Sequence, residues 1–292
     1  MIRTFSGNTL GALLMMGSMA AYTFNDALVK LLGSDLPLFQ IITLRGVLAS
    51  ILIYALARYL GRLRFDLTPR DWGLVGLRSL AEIGITYCFL TALIVMPIAN
   101  ITAMLQALPL TVTLGAALFF GEAVGWRRAL AILLGFCGML LIVRPGADGF
   151  TQGALYGLLA VLLITCRDLM TRRMSTQVPS LTVTLIGSIT ITLFGVVGSM
   201  TQEWAPVSHQ NALVLVGASL LIVVGYALSV MVMRVGEIAF VSPFRYTGLL
   251  WAMGLGWVMF GEWPDPVTQA GAFLIVATGV FTLYRERLQS RA

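Results

Sequence analysis

Apolar residues run along this chain in long blocks, and polar residues collect between them. Ten blocks stand out, at 10–31, 37–58, 72–94, 98–120, 126–144, 152–172, 180–200, 211–233, 239–260 and 266–285. A helix needs about 20 apolar residues to cross a bilayer, and in lipid only a helix or a closed barrel satisfies its own backbone polar groups. Each block therefore predicts a transmembrane helix. The connections are short, so no extramembrane domain fits between them.

The pattern repeats. Residues 98–122 and 238–262 both open on Ile-Ala (Ile98-Ala99, Ile238-Ala239) and both close on Phe-Gly-Glu (Phe120-Gly121-Glu122, Phe260-Gly261-Glu262), at an offset of 140. Gly11-Ala12-Leu13 likewise matches Gly153-Ala154-Leu155, and Asp26 and Lys30 match Asp168 and Arg172, at an offset of 142. The chain reads as two five-helix units, 1–146 and 147–292. Five is odd, so the second copy enters the membrane from the opposite side. Such inverted repeats serve alternating access in many secondary transporters.

Composition strengthens this picture. Apolar residues make up 58 % of the chain and charged residues 11 %, against roughly 45–50 % and about 25 % in soluble domains. Net charge is +6, carried by arginine with Lys30 as the single lysine. The arginines fall singly or in pairs between the blocks, which fits topology rather than nucleic acid as a partner. With the N-terminus inside, the cytoplasmic loops and tails hold Arg3, Arg58, Arg62, Arg64, Arg70, Arg127, Arg128, Arg172, Arg173, Arg234, Arg285, Arg287 and Arg291. The outer side holds only Arg144, with Lys30 at a helix end. The positive-inside rule then places both termini in the cytoplasm. The fold class is an all-α membrane protein of ten transmembrane helices in two inverted repeats, multi-pass in a bacterial-type inner membrane. The first block superficially resembles a signal peptide. It carries Asn25, Asp26 and Lys30 and lacks a cleavage site, so it is read as a retained spanning helix.

At this point the sequence resembles the EamA-type branch of the drug/metabolite transporter superfamily. Two five-helix halves, each with a Gly-Glu closing its fourth helix, carry the likeness, together with Arg45-Gly46 and Arg144-Pro145-Gly146. It covers essentially the whole chain. The resemblance implies a secondary carrier whose helices one to four and six to nine enclose a central cavity, with helices five and ten at the side.

Charged groups within the membrane are expensive and need a partner or water. Those expected here are Asp26, Lys30, Arg45, Arg78, Glu82, Arg167, Asp168 and Arg245. Asp26/Lys30 and Arg78/Glu82 are spaced i, i+4, and each pair can form an intrahelical ion pair. Asp26, Lys30 and Arg45 fall toward the outer side. Arg78, Arg167, Asp168 and Arg245 fall toward the inner side, with Glu82 nearest the middle. The functional reading is a pair of polar gates, Arg45 serving Asp26 outside and Arg245 or Arg78 serving Asp168 inside; the bland one is permanent ion pairing, or snorkelling of Lys30. Glu82 is the coupling candidate, because a mid-membrane carboxylate can carry a proton.

Pro97, Pro109 and Pro243 predict kinks that free backbone carbonyls. Around them stand Asn100, Thr102, Gln106, Ser242, Arg245 and Tyr246, of which Thr102 and Ser242 are equivalent by the repeat. Tyr87, Tyr226 and Trp251, with Tyr22, Phe89 and Phe244, can stack a planar ligand or simply pack. Trp72, Trp126, Trp204 and Trp263 read as interfacial anchors. Gly135, Gly138, Gly271 and Gly279 allow close helix contacts. Glu122 and Glu262 sit at helix C-termini, which disfavour negative charge, so each is expected to be a structural bracket with some compensating contact. Cys88, Cys137 and Cys166 read as small buried hydrophobes. There is no phosphate-binding loop and no metal-ligand cluster, so no cofactor and no metal are expected.

The sequence thus predicts a secondary active transporter, not an enzyme. Its substrate is a small metabolite such as an amino acid, vitamin or drug-like molecule, with an anionic or aromatic group. Its partners are that molecule and the lipid bilayer, as a monomer or homodimer. The alternatives are an intramembrane enzyme, which needs a catalytic constellation at one depth, and a non-transporting structural membrane protein.

Overall fold

The computed structural model describes residues 7–61, 63, 65–122, 125–144, 151–175, 177–235 and 238–289, without the side chains at 233–234, 238–239 and 285–289. Arg3, Arg62, Arg64, Pro145, Gly146 and Arg291, used above, lie outside the described residues. So do the side chains of Arg234, Ile238, Ala239, Arg285 and Arg287.

Among the described residues the regular structure is entirely helical: α1 (Gly7–Leu32), α2 (Leu38–Tyr59), α3 (Pro69–Val95), α4 (Ile98–Leu105), α5 (Leu108–Phe120), α6 (Trp126–Val143), α7 (Gln152–Arg173), α8 (Ser180–Ser199), α9 (His209–Val235), α10 (Ile238–Val241), α11 (Thr247–Phe260) and α12 (Pro266–Gln289). His209, expected in a loop, opens α9. The starts follow local chemistry. Thr68 accepts from the Asp71 N–H and is followed by Pro69, Thr151 accepts from the Ala154 N–H, and Asp265 accepts from Val267 and Thr268. Each satisfies donors that a helix N-terminus leaves without partners.

The ten expected spans are realised with two qualifications. Eight helical stretches are long and apolar enough to cross a membrane. The first block falls outside that set although α1 is a 26-residue helix, because Asn25, Asp26 and Lys30 break its apolar run. The ninth block falls outside because it is divided into α10, a 3₁₀ turn over Ser242–Tyr246 containing Pro243, and the 14-residue α11. The fourth block is also interrupted, at Gln106–Ala107 just before Pro109. Both kinks are therefore where the prolines placed them.

Close contacts set the directions of the helices. α1 runs antiparallel to α9, with Gly7 beside Val235, Tyr22 against Gly225 and Leu28 against Gly217. α3 runs antiparallel to α7, with Gly153 at Val95 and Gly84 at Leu163. α2 is antiparallel to α8 through Gly198–Phe39, Gly195–Ile42 and Gly46–Thr192. α6 and α12 cross at Gly138 and Gly271, where a Cβ on Gly138 would stand 2.7 Å from the Gly271 carbonyl oxygen. α1 lies parallel to α11 and α5 parallel to α7, while α4 is antiparallel to α11. α6 and α12 thus pack against each other beside the remaining helices.

The main core sits at one end of the bundle, around Leu32, Ile41, Leu90, Leu93, Ile98, Ile101 and Met104, all essentially inaccessible. Toward the other end, the second cluster among the described residues is a small one of Ala49, Ile53 and Leu185. Trp72, Trp126, Trp204 and Trp263 are all exposed at helix ends, as interfacial anchors are. Of the cysteines expected to be buried only Cys88 is; Cys137 and Cys166 are exposed. In lipid an outward-facing thiol is no less comfortable than a core one, which composition alone could not separate.

Candidate functional site

A cavity of about 290 Å³ opens between α1, α2, α3, α8 and α9. Its polar lining comes from Tyr22, Arg45, Arg78, Glu82, Thr86, Thr184, Ser188 and Tyr226, and Ile42, Ile53, Leu90, Ile191, Ile222 and Val223 supply the apolar walls. Glycines widen it: Gly46 and Gly187 belong to the lining, and Gly187 lies against Arg78 and Glu82.

The charged groups form two assemblies. In the first, Glu82 accepts from Arg78 at 3.0 Å and from Arg167 at 3.4 Å, and Arg167 also reaches Asp168 at 2.8 Å. Arg78 is anchored further by donating to the Thr171 hydroxyl at 3.3 Å. Two guanidinium groups thus converge on one carboxylate, as a charge network at low dielectric requires. The expected i, i+4 pair of Arg78 and Glu82 is present. Asp168, expected to pair with Arg245 or Arg78, instead takes its ion pair from its neighbour Arg167, which also reaches Glu82 of α3.

The second assembly joins Asp26 to Arg45. Asp26 accepts from the Asn25 amide at 2.9 Å, and Arg45 is its main charged neighbour. Arg45 Nε and the Tyr226 hydroxyl are both buried without a hydrogen-bond partner. Both belong to cavity-lining residues. Buried donors without partners are costly, and these two stand where a bound molecule could supply an acceptor.

An aromatic cluster joins α2, α3, α7 and α8. Tyr87 packs on Phe39, Tyr156 and Phe194 at centroid distances of 5.9–6.4 Å, and Phe39 meets Phe194 edge-on at 5.4 Å. Tyr87, expected as a site residue, packs in this cluster and is not among the residues lining the cavity. The residues around the kinks do not line this cavity. Gln106 is buried where α4 gives way to α5 and packs against Gly248 of α11. Thr102 offers its carbonyl to the Gln106 N–H. Asn100 Oδ1, Arg245 Nε and the Tyr246 hydroxyl are buried without hydrogen bonds, and Tyr246 lies against Gly279 of α12. Ser242 lies in the 3₁₀ turn. Trp251 faces outward and packs on Phe24.

Sequence reasoning missed a hydroxyl stripe. Thr184, Ser188 and Thr192 recur every four residues on α8. Ser188 meets Ser50 of α2 at 2.8 Å, and Thr192 lies 3.4 Å from it. The i, i+4, i+8 spacing in an apolar helix was the available signal.

Lys30 departs from expectation most. It neither pairs with Asp26 nor snorkels. Its ammonium donates to Glu262 at 2.7 and 3.1 Å and to the Met96 carbonyl at 2.6 Å. Glu262 in turn accepts from the Ile98 N–H at 3.2 Å, at the start of α4. This is the compensating contact a glutamate behind a helix C-terminus needs, and it comes from the other half of the chain.

No metal-ligating group of three or more His, Cys, Asp or Glu exists among the described residues.

Comparison with known proteins follows the same outline. The model of the EamA-like transporter family matches residues 9–144 and 151–284. The S-adenosylmethionine uptake transporter of Rickettsia conorii is 26 % identical over 272 residues, 92 % of this chain and 91 % of that one. The riboflavin transporter of Vibrio cholerae is 27 % identical over 284 residues, 96 % and 95 % of the two chains. The pseudopaline exporter CntI of Pseudomonas aeruginosa is 25 % identical over 269 residues, 90 % and 92 %. A crystal structure with 16 % identity superposes with a TM-score of 0.67 over 94 % of this chain and 97 % of the other, a likeness of fold alone.

Proposed function

The chain belongs to the EamA-like transporter family, and from that premise we propose that it is a secondary active carrier working by alternating access. The substrate is a small metabolite bearing a carboxylate or other oxyanion together with a planar ring. The protein is multi-pass in the bacterial inner membrane. The named relatives are transporters, and neither an intramembrane enzyme nor a structural membrane protein has a counterpart among them.

The observation that carries the reading is the cavity itself. Ionisable groups within a membrane belong on a water-filled path, and Arg45, Arg78 and Glu82 all line one. Arg45 Nε and the Tyr226 hydroxyl are donors without partners, suited to an oxyanion. Tyr22 and Tyr226 supply ring faces for stacking. Arg78, Glu82, Arg167 and Asp168 balance one another in charge, so a substrate meets one arginine free of hydrogen bonds at Nε and a neutral network beyond it.

The inverted-repeat reading, with units 1–146 and 147–292, rests on the directions of the helices. The second and seventh blocks, α2 and α8, lie antiparallel side by side, and so do the fifth and tenth, α6 and α12. The pairing of α1 with α9 is mirrored by that of α7 with α3, and α1 with α11 by α7 with α5. Several contacts break the symmetry: α4 touches α11, while among the described residues α5 makes no comparable contact with α10 or the 3₁₀ turn. α1 also touches α3, while among the described residues α7 makes no comparable contact with α9. The bundle is thus closed at the Lys30 end and looser at the Arg172 end, the cytoplasmic one if both termini lie inside.

The test is a melting-temperature screen of the detergent-solubilised protein against metabolites, because a substrate bound only by the folded state raises that temperature. Hits are then followed by flux in vesicles. A ring-bearing carboxylate is expected to stabilise the parent, with the shift lost in Arg45→Gln and Tyr226→Phe. Equal stabilisation of the parent and both variants, or flux unaffected by either change, would refute this site.

A further inference from the structure

The two Phe-Gly-Glu endings hold cations, and they hold them across the halves. At one, the Lys30 ammonium from α1 lies 5.1 Å from the Phe260 ring and 2.7 Å from Glu262. At the other, the Arg173 guanidinium at the end of α7 lies 4.4 Å from the Phe120 ring. Its neighbour Arg172 reaches Glu122 at 3.5 Å. Lys30 and Arg172 are equivalent by the repeat, as are the two Phe-Gly-Glu triplets. In both triplets the glycine has a positive φ, +68° at Gly121 and +65° at Gly261. That left-handed residue ends the helix and folds the glutamate N–H back onto Ala116 or Gly256. Each motif is a cation cradle: at one end a single ammonium meets both ring and carboxylate, and at the other two adjacent arginines take one each.

The cradles lie at opposite ends of the bundle. α1 is parallel to α11, α7 is parallel to α5, and α11 is antiparallel to α4. Their states differ sharply. Lys30 and Glu262 keep 8 % and 27 % of their side-chain exposure, and the Met96 carbonyl and Ile98 N–H complete the site. Arg172 and Glu122 keep 51 % and 54 %. The tight cradle draws α1, α3, α4 and α11 together where the core is dense. The loose one lies beside Thr171, which Arg78 of the cavity wall contacts.

We propose that the two cradles are alternating latches: Lys30 in Phe260-Gly261-Glu262 locks the closed end of the carrier in this state, and Arg172 and Arg173 in Phe120-Gly121-Glu122 lock the other end in the opposite state. The proposal rests on the alternating-access reading above. A desolvated, fully bonded ion pair holds helices in one arrangement, whereas a solvated pair contributes little. Exchanging which cradle is desolvated exchanges which end is held. Substrate enters or leaves at the end whose cradle is loose.

The test uses the full chain with Cys88, Cys137 and Cys166 replaced and Ser188→Cys added in the cavity wall, in membrane vesicles of both orientations. A membrane-impermeant maleimide then reports access from each face. In the parent, labelling is expected from the Arg172 face. Glu262→Gln is expected to raise labelling from the Lys30 face roughly tenfold or more and lower it from the Arg172 face. Should Glu262→Gln fail to fold, a Glu122→Cys/Arg172→Cys pair joined by a short thiol cross-linker is expected to produce the same reversal, undone by cleaving the linker. Labelling that stays on the Arg172 face in both forms would overturn the latches. Access is read without substrate. Reversal in a protein that moves no metabolite therefore supports the latches and counts against the carrier, while intact flux with unmoved labelling overturns the latches alone.

Discussion

Replacing Glu82 by glutamine removes the one carboxylate that two guanidinium groups share. Arg78 and Arg167 lie 3.0 and 3.4 Å from it, and the three side chains keep only 14–25 % of their exposure. Removing one partner of a fully buried ion pair leaves an uncompensated charge and costs about 3–5 kcal/mol. Here the groups border a cavity that water can enter, which screens part of that penalty, so about 2–3 kcal/mol is the expected loss. At about 2–4 °C per kcal/mol for chains of this order, the melting temperature falls by roughly 5–10 °C. The assay is thermal unfolding of the detergent-solubilised protein for Glu82→Gln, Arg167→Gln and the double variant. The double variant restores charge balance, so its loss is expected to be smaller than the sum of the two single losses by at least about 1 kcal/mol. Single variants each within about 0.5 kcal/mol of the parent, with additive effects, would show that the network carries no strain and refute the electrostatic reasoning. The same Glu82→Gln protein, assayed for flux across a pH series, tests proton coupling: a profile identical to the parent's excludes Glu82 as the proton carrier.

Gly138→Leu is expected to destabilise the protein by about 1–3 kcal/mol or more, since even a Cβ there would meet the Gly271 carbonyl at 2.7 Å and the Ile275 nitrogen at 3.2 Å; an unchanged melting temperature would contradict the close crossing of α6 and α12. Asp265 supplies a pH prediction outside the spans. Partial burial raises its carboxyl, but hydrogen bonds from the Thr268 hydroxyl and N–H and from Arg144 outweigh this and hold it below the usual carboxylate range. Its stabilising contribution is therefore complete above the ordinary carboxylate value and is lost as pH falls through the lowered one. Melting temperature is expected to fall more steeply with acid in the parent than in Asp265→Asn, and parallel curves would contradict the assignment.

Block length and composition were enough to read an all-helical membrane protein, and the kinks were legible because proline removes a backbone donor wherever it stands. The i, i+4 spacing of Arg78 and Glu82 predicted their pairing, since both partners share one helix. Partners drawn from different helices were another matter. Lys30 was four residues from Asp26 and equally able to snorkel, yet its partner lies 232 positions away. Asp168 was assigned to Arg245 or Arg78 and found Arg167. Thr102 and Ser242, singled out by the repeat, stand apart from the cavity, while Ser188 and Thr184, which line it, were passed over.

The sequence by itself determined what depends on one helix at a time: spans, kinks and the repeat of Phe-Gly-Glu. Only the tertiary structure decided which charges meet, because the rotation of each helix about its axis is set by packing against neighbours far away in the chain. It also decided that the two copies of one motif stand in different states, with Lys30 buried against a part-buried Glu262 while Arg172 and Glu122 stay exposed. A repeat in sequence carries the symmetry of the parts. The departure from that symmetry is a property of one packed conformation, where closing one end leaves the other end loose.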